Sequence, residues 1–209
     1  VDPLQTANCL AQAEGPRGQA RKMIERLENL LSLNSRVDKN LKREVLTTMG
    51  DLYVILDNKK QAQLAYADAL NISPNHPYVL AQYSELLIQR SEYEQLADVL
   101  VELKSTLNTR LYQAIASRYI NQQNNVKTTH PMFDIGNADS LHKELAQLDK
   151  RDDADTAKYW AMYYLYIEPN NKQALRYAQL NWQSQKSLSD ARLLKHTAKA
   201  ANDSQQLSA

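Results

Sequence analysis

The residues most often used for catalysis and metal binding are few in this sequence and widely separated. The histidines and the single cysteine are Cys9, His76, His130, His142 and His196. No two histidines have the spacing that places two metal ligands on one face of a helix, and the cysteine has no partner cysteine. The sequence therefore predicts no metal site and no cofactor, and we interpret the histidines as capping or surface residues.

Other catalytic motifs are also missing. The sequence contains no Gly-rich phosphate loop and no G-x-S-x-G turn, and Cys9 lacks the surrounding motif of a nucleophile. We interpret Cys9 as a small apolar residue in a helix interface. The charged run 149–155 is typical of a linker and helix cap, and not of an acid/base pair. We therefore predict that the protein is not an enzyme. One alternative stays open, in which His130 and Asp134 of the polar segment 124–137 lie over a groove and catalyse a reaction.

The amino-acid composition limits the kinds of partner that the protein is expected to bind. Among 209 residues, 25 Lys and Arg are balanced by 24 Asp and Glu, and no basic stripe is visible. We therefore expect no binding to nucleic acid. No apolar run is long enough to cross a bilayer. Only 4 glycines and 6 prolines are present, which disfavours a turn-rich all-β fold and predicts helices.

The most informative stretch is 43–76. Its residues on one face of two successive helices are Leu46, Met49, Gly50, Tyr53, Ala62, Tyr66 and Ala69, followed by Pro74. Glycine in the middle of a helix costs about 1 kcal/mol relative to alanine, so Gly50 needs a structural reason. We predict that the second helix crosses here too closely for a β-carbon.

Weaker copies of the pattern flank this stretch. In 1–34 the matching residues are Leu4, Ala7, Ala20, Ile24 and Leu27, with a turn at 14–18. In 77–110 they are Leu80, Tyr83, Ser84, Leu87, Tyr93, Leu96, Leu100 and Leu103. A further helix is predicted at 111–123, and the C-terminal helices at 138–201 end with one capped by Ser189 and Asp190. The tail 202–209 is predicted to fray.

The pattern of 43–76 resembles the tetratricopeptide repeat (TPR) at each diagnostic position except the leading tryptophan. The resemblance implies an all-α solenoid of TPR-like helical hairpins wound as a right-handed superhelix. Its parts would be the repeats of 1–123, an irregular loop at 124–137 and TPR-like helices at 138–201. Because the chain begins with Val1 inside a repeat, we expect a processed protein or a piece of a longer one. Its N-terminal edge could self-associate.

Two narrower resemblances suggest a biological setting. Residues 21–34 and 44–87 are similar to the repeat domain of bacterial cytochrome c maturation accessory proteins, which hold an apocytochrome for haem attachment. Residues 174–201 are similar to the C-terminal end of uncharacterised bacterial TPR proteins that are often exported. We favour the second resemblance, which implies an exported or periplasmic location and no activity.

The TPR resemblance also implies where a partner binds. First helices of the hairpins line a concave surface, and the side chains expected there are Glu44, Thr47, Thr48, Asp51, Tyr78, Gln82, Glu85 and Gln89. This set lacks the Lys, Arg and Asn of repeats that clamp an acidic C-terminus. Its carboxylates suit a basic or polar segment, so charge reversal at Asp51 and Glu85 is expected to change affinity.

An aromatic helix is the second candidate surface. Tyr159, Tyr163 and Tyr166 are spaced i, i+4 and i+7, beside Trp160 and Tyr164. Such a helix is apolar nearly all round, which indicates burial between neighbouring helix pairs or an interface with a partner. We predict a non-catalytic scaffold that binds a peptide or protein on its concave surface. The alternatives are the cytochrome-maturation accessory and the enzyme described above.

Overall fold

The structure is a computed structural model that describes residues 2–34, 36–101, 103–123, 137–149 and 156–202. Across these ranges the regular elements are all helical. They are α1 (Pro3–Glu14), α2 (Ala20–Leu33), α3 (Lys39–Ile55), α4 (Lys59–Ile72), α5 (Pro77–Gln89), α6 (Tyr93–Leu100), α7 (Leu107–Gln123), α8 (Asn137–Asp149), α9 (Thr156–Met162), α10 (Asn171–Ser184) and α11 (Leu188–Ala200). The all-α, TPR-like fold predicted from the sequence is confirmed.

The chain divides into two compact units, Val1–Ser91 and Glu92–Ala209. The boundary falls between α5 and α6, inside the copy predicted at 77–110. In the first unit, α1 packs on α2, α3 on α4, and α4 on α5. Successive helices therefore pack as hairpins, and residues from α1 to α4 share one apolar core.

Gly50 lies where α3 meets α4 most closely. A β-carbon built on Gly50 would lie 2.4 Å from Cε1 and 2.6 Å from Cδ1 of Tyr66. The ring of Tyr66 is completely buried, so it has no free space into which it could move. The predicted close crossing is confirmed, and its cause is an aromatic ring that occupies the place of a side chain.

Short polar segments set the helix ends of the first unit. The Asp38 carboxylate accepts from the backbone N–H of Asn40 and Leu41 at 2.9 and 3.1 Å, and so caps α3. After α3, Asp57 adopts a φ of 54°, and the Asn58 side chain caps α4. Gly18 has a φ of 94°, which favours glycine in the turn between α1 and α2.

In the second unit α6 packs on α7, α7 on α8, α9 on α10, and α10 on α11. Helix α6 ends at Leu100, so Leu103 lies beyond the helix to which the sequence pattern assigned it. Ser187, and not Ser189, is the N-cap of α11. Its hydroxyl accepts from the Asp190 N–H, and the Asp190 carboxylate accepts from the Ser187 N–H, which forms a capping box.

The helix that begins with α9 widens before it ends. Residues Tyr163–Ile167 form one turn of π-helix, in which the Glu168 N–H donates to the Tyr163 carbonyl at 3.0 Å. Pro169 follows directly; it has no backbone N–H, and its ring conflicts with the carbonyl four residues earlier. The helix therefore ends before Pro169, and the spacing assumed for the tyrosines from sequence changes within the π turn.

Three further sequence expectations concern surfaces and ends. Cys9 is exposed, so it is not the interface residue that we expected. No helix among the described residues has the length and apolarity needed to cross a membrane. Residues 124–136 of the predicted loop, residues 150–155 of the charged run and the tail from 203 onward lie outside the described residues.

Candidate partner-binding surface

Hydrogen bonds connect the first helices of successive hairpins in the first unit. Gln12 Nε2 on α1 donates to Thr48 Oγ1 on α3 at 3.1 Å. The Tyr78 hydroxyl on α5 donates to Asp51 Oδ2 on α3 at 3.0 Å. Side chains of α1 and α5 are therefore both bonded to α3. We call the surface presented by Glu44, Asp51 and Tyr78 the A-helix face.

Asp51 is the centre of this face. Its second carboxylate oxygen, Oδ1, accepts from the hydroxyl of Tyr66 at 2.6 Å. Tyr66 is buried, Asp51 half-buried and Tyr78 49% exposed, so one carboxylate connects the α3–α4 core to the surface. Both oxygens of Asp51 accept hydrogen bonds from tyrosines, which fixes the orientation of the carboxylate and of the Tyr78 ring.

The other residues predicted for the concave surface differ in exposure. Glu44 is exposed, as that prediction requires, and Gln89 is half-buried. Four of the predicted residues are buried instead: Thr47, Thr48, Gln82 and Glu85. The Thr47 hydroxyl donates to the Arg43 carbonyl of its own helix at 2.8 Å, so its polar group is already satisfied. A partner could therefore reach Glu44, Asp51 and Tyr78 more easily than these four.

His76 lies at the edge of the A-helix face. Its Nδ1 accepts from the Val79 N–H at 3.5 Å and so caps α5. Burial lowers the pKa of His76, and the positive charge of Arg43 lowers it further, while Glu44 acts in the opposite direction. The neutral imidazole is therefore favoured, as a cap requires. The interpretation of this histidine as a capping residue is confirmed.

We predict that Asp51→Ala destabilises the protein by about 1–3 kcal/mol, because the buried hydroxyl of Tyr66 loses its acceptor. Tyr78→Phe removes the hydroxyl that bonds to Asp51 from the exposed side and should cost about 1 kcal/mol or less. Urea unfolding followed by circular dichroism measures both. Equal midpoints for Asp51→Ala and wild type would show that the carboxylate does not support the core.

The hydrogen bonds of Asp51 and the burial of Glu85 determine which substitutions can test this surface. Reversing the charge of Asp51 would break two hydrogen bonds, and reversing that of Glu85 would place a cation at a buried position. The double reversal expected from sequence to alter affinity would therefore also destabilise the fold. Glu44 is the better position, because its own side chain is exposed and makes no hydrogen bond to the core within the described residues; its contact is an ion pair with the half-buried Arg43 at 3.5 Å.

The second candidate surface is an aromatic cluster in the second unit. The rings of Trp160, Tyr164 and Tyr177 are nearly parallel, with interplanar angles of 15–20° and centroids 5.4–5.9 Å apart. His142 and Tyr163 meet Trp160 edge-on, with centroids at 5.1 and 5.8 Å. Three helices, α8, α9 and α10, and the π turn that follows α9 contribute to the cluster.

Burial decides the role of this cluster. Trp160 and Tyr163 are 4% and 2% exposed, whereas Tyr159 and Tyr166 are half-buried. The sequence left two alternatives for these residues, core packing and a partner interface. The residues at the centre of the cluster pack in the core. Sequence reasoning missed Tyr177, although it lies next to the small core residue Ala178 on α10. His142, which we interpreted as a capping or surface residue, is instead half-buried and packs against Trp160 and Tyr163.

The phenols of the cluster are held in their neutral form. Burial raises the pKa of Tyr163 well above its usual value, and the negative charge of Glu168 adds to this. Burial also raises the pKa of Tyr164 and of Tyr177. A raised pKa in the folded state gives stability that is complete below the ordinary tyrosine pKa of about 10 and is lost as the pH rises above it.

No grouping of His, Cys, Asp and Glu within the described ranges could hold a metal ion. His130 and Asp134, which carry the enzymatic alternative, lie outside those ranges. Within the described residues, the two candidate surfaces contain hydrogen-bonding side chains, carboxylates and aromatic rings. Such groups are common on surfaces that bind other proteins.

Comparison with known proteins gives the fold its context. No family model matches the chain, and no curated protein is significantly similar to it. A tetratricopeptide repeat protein from Parabacteroides merdae ATCC 43184 has a crystal structure with a TM-score of 0.55 at 16% identity, covering 99% of this chain and 76% of that one. PilW, a widely conserved type IV pilus biogenesis factor, gives a TM-score of 0.51 at 17% identity, covering 99% of this chain and 89% of that one. At 16–17% sequence identity, these similarities show a shared fold and nothing about function.

Proposed function

Because the chain has the helical-hairpin fold of TPR proteins, we propose that it is a non-catalytic scaffold that binds a protein segment on the A-helix face. Arrays of this architecture use the extended surface formed by successive repeats for binding. Glu44, Asp51 and Tyr78 belong to one compact unit and to neighbouring first helices, so a single extended segment could contact all three.

The observation that carries the proposal is the pair of hydrogen bonds at Asp51. A half-exposed tyrosine would ordinarily sample several rotamers, and its ordering would oppose binding. Here the bond from the Tyr78 hydroxyl to Asp51 orders the ring before a partner arrives. Tyrosine is a frequent anchor of protein interfaces, since it combines a large apolar area with a polar group.

The charge of the face indicates the chemistry of the partner. Glu44 is exposed, and the carboxylate of Asp51 accepts from the Tyr78 hydroxyl. A segment with a Lys or Arg next to an apolar residue would complement this arrangement, with the cation near Glu44 and the apolar side chain against the tyrosine ring. The proposed partner is therefore a basic or polar peptide segment.

Peptides selected from a phage-displayed random library against the whole chain provide the test. Calorimetric titration of the synthetic peptides should show that Glu44→Lys weakens binding about tenfold. Tyr78→Ala should weaken it by at least as much. The matched control is Asp68→Lys, which makes the same charge change at an exposed position of α4 and should leave affinity unchanged.

Loss of affinity only in Asp68→Lys would contradict the proposal, since binding would then use the second helices of the hairpins. Thermal melts of each variant separate loss of the binding surface from loss of folding.

The cytochrome-maturation role remains a prediction from resemblance, as does an exported location. Titration with a peptide of an apocytochrome C-terminal helix tests the former directly.

A further inference from the structure

Basic residues are concentrated at the last helical hairpin. Residues 171–202, which contain α10 and α11, hold six basic side chains and one acidic one, whereas the whole chain has a net charge of only +1. The basic residues are Lys172, Arg176, Lys186, Arg192, Lys195 and Lys199. The excess was invisible in the overall composition because acidic residues elsewhere balance it.

The cations at the open end of this hairpin are not neutralised within the described part of the chain. The ion pairs found there include none made by Lys172, Arg176, Lys195 or Lys199. The single acidic residue of the hairpin, Asp190, is buried; it completes the capping box and approaches Lys158 at 3.9 Å. Like charges that are left exposed repel one another, and an anionic partner would relieve that repulsion.

A groove runs between the start of α10 and the end of α11. Its volume is about 750 Å³, within the roughly 300–1,000 Å³ of typical ligand sites. Lys172 and Arg176 line it, and Asn171 Nδ2 donates to the Ala200 carbonyl at 2.8 Å, which fixes one wall against the other. The Arg176 guanidinium donates to Gln173 Oε1 at 3.4 Å, and its carbon lies 5.5 Å from the centre of the Tyr177 ring.

The other residues that line the groove favour one class of anionic ligand over another. Gln173 and Gln179 supply amide groups, which both donate and accept hydrogen bonds, and Leu175 supplies an apolar floor. A peptide backbone offers donors and acceptors that amides can pair with. A phosphodiester backbone offers acceptors alone, and proteins that bind single strands add aromatic stacking platforms, which this lining lacks.

We propose that the groove between α10 and α11, with Lys172 and Arg176, binds an acidic peptide segment of a partner protein. Carboxylates of the segment pair with the two cations, and its backbone bonds to the amides of the lining. This site lies in the second unit and uses different residues and the opposite charge from the A-helix face, so either proposal can fail without the other.

Fluorescence anisotropy with the whole chain and a fluorescein-labelled oligoglutamate tests the site at low ionic strength. Wild type should bind it, whereas an oligoglutamine of the same length should bind at least about tenfold more weakly. The double variant Lys172→Gln/Arg176→Gln should weaken binding of oligoglutamate about tenfold or more. Both side chains are exposed, so the melting temperature should not change.

The matched control is Arg21→Gln/Lys22→Gln, which removes the same charge from exposed positions of α2 and should change affinity less than about twofold. An equal loss in this control would overturn the proposal, since binding would then follow net charge alone. Two other results would also overturn it: no binding of oligoglutamate, or equally tight binding of a labelled oligothymidylate of the same charge.

Discussion

Gly50→Leu should unfold at a much lower urea concentration than wild type, with a loss of about 3 kcal/mol or more. The reason is geometric: the first added carbon would overlap the ring of Tyr66, whose atoms lie 2.4–2.9 Å from its position. The ring cannot rotate away without losing its hydrogen bond to Asp51 and the packing around it. Far-UV circular dichroism during urea titration measures the effect.

Two companion variants separate overpacking from the change in helix propensity. Lys60→Leu introduces the same side chain at an exposed position of α4 and should shift the midpoint little. Gly50→Ala gains about 1 kcal/mol of helix propensity but still meets the ring, so it should be less damaging than Gly50→Leu. If Gly50→Leu melted like wild type, the close crossing of α3 and α4 would not exist in solution.

Trp160→Ala should be the most damaging single substitution in the second unit, at about 3–5 kcal/mol. The indole is 4% exposed and contacts the rings of Tyr164 and Tyr177 face to face. Its removal would leave a cavity among α8, α9 and α10 and would end those aromatic contacts. Thermal and urea unfolding, both followed by circular dichroism, measure the loss.

Trp182→Ala is the matched control, because Trp182 is half-buried and has no ring contact within the described residues. It should cost clearly less than Trp160→Ala. Similar midpoints for the two variants would mean that the aromatic cluster is not the core of its unit. In that case the half-buried tyrosines nearby would become candidates for a partner surface.

The sequence alone determined the helical-hairpin class and several local features. The spacing of apolar residues in 43–76 predicted two packed helices, and Gly50 predicted their close crossing. Both follow from the period of the α-helix and from the cost of glycine within it, which are local properties.

Other features were decided only by the tertiary structure. Thr47 and Glu85 have the spacing of surface positions, yet they are buried, because burial depends on what packs against a helix from elsewhere. Asp51 was expected to face a partner from the concave surface, and its two tyrosine partners come from positions 15 and 27 residues away in sequence. Helical periodicity predicts which side chains share a face, but it contains no information about which distant residues cover that face.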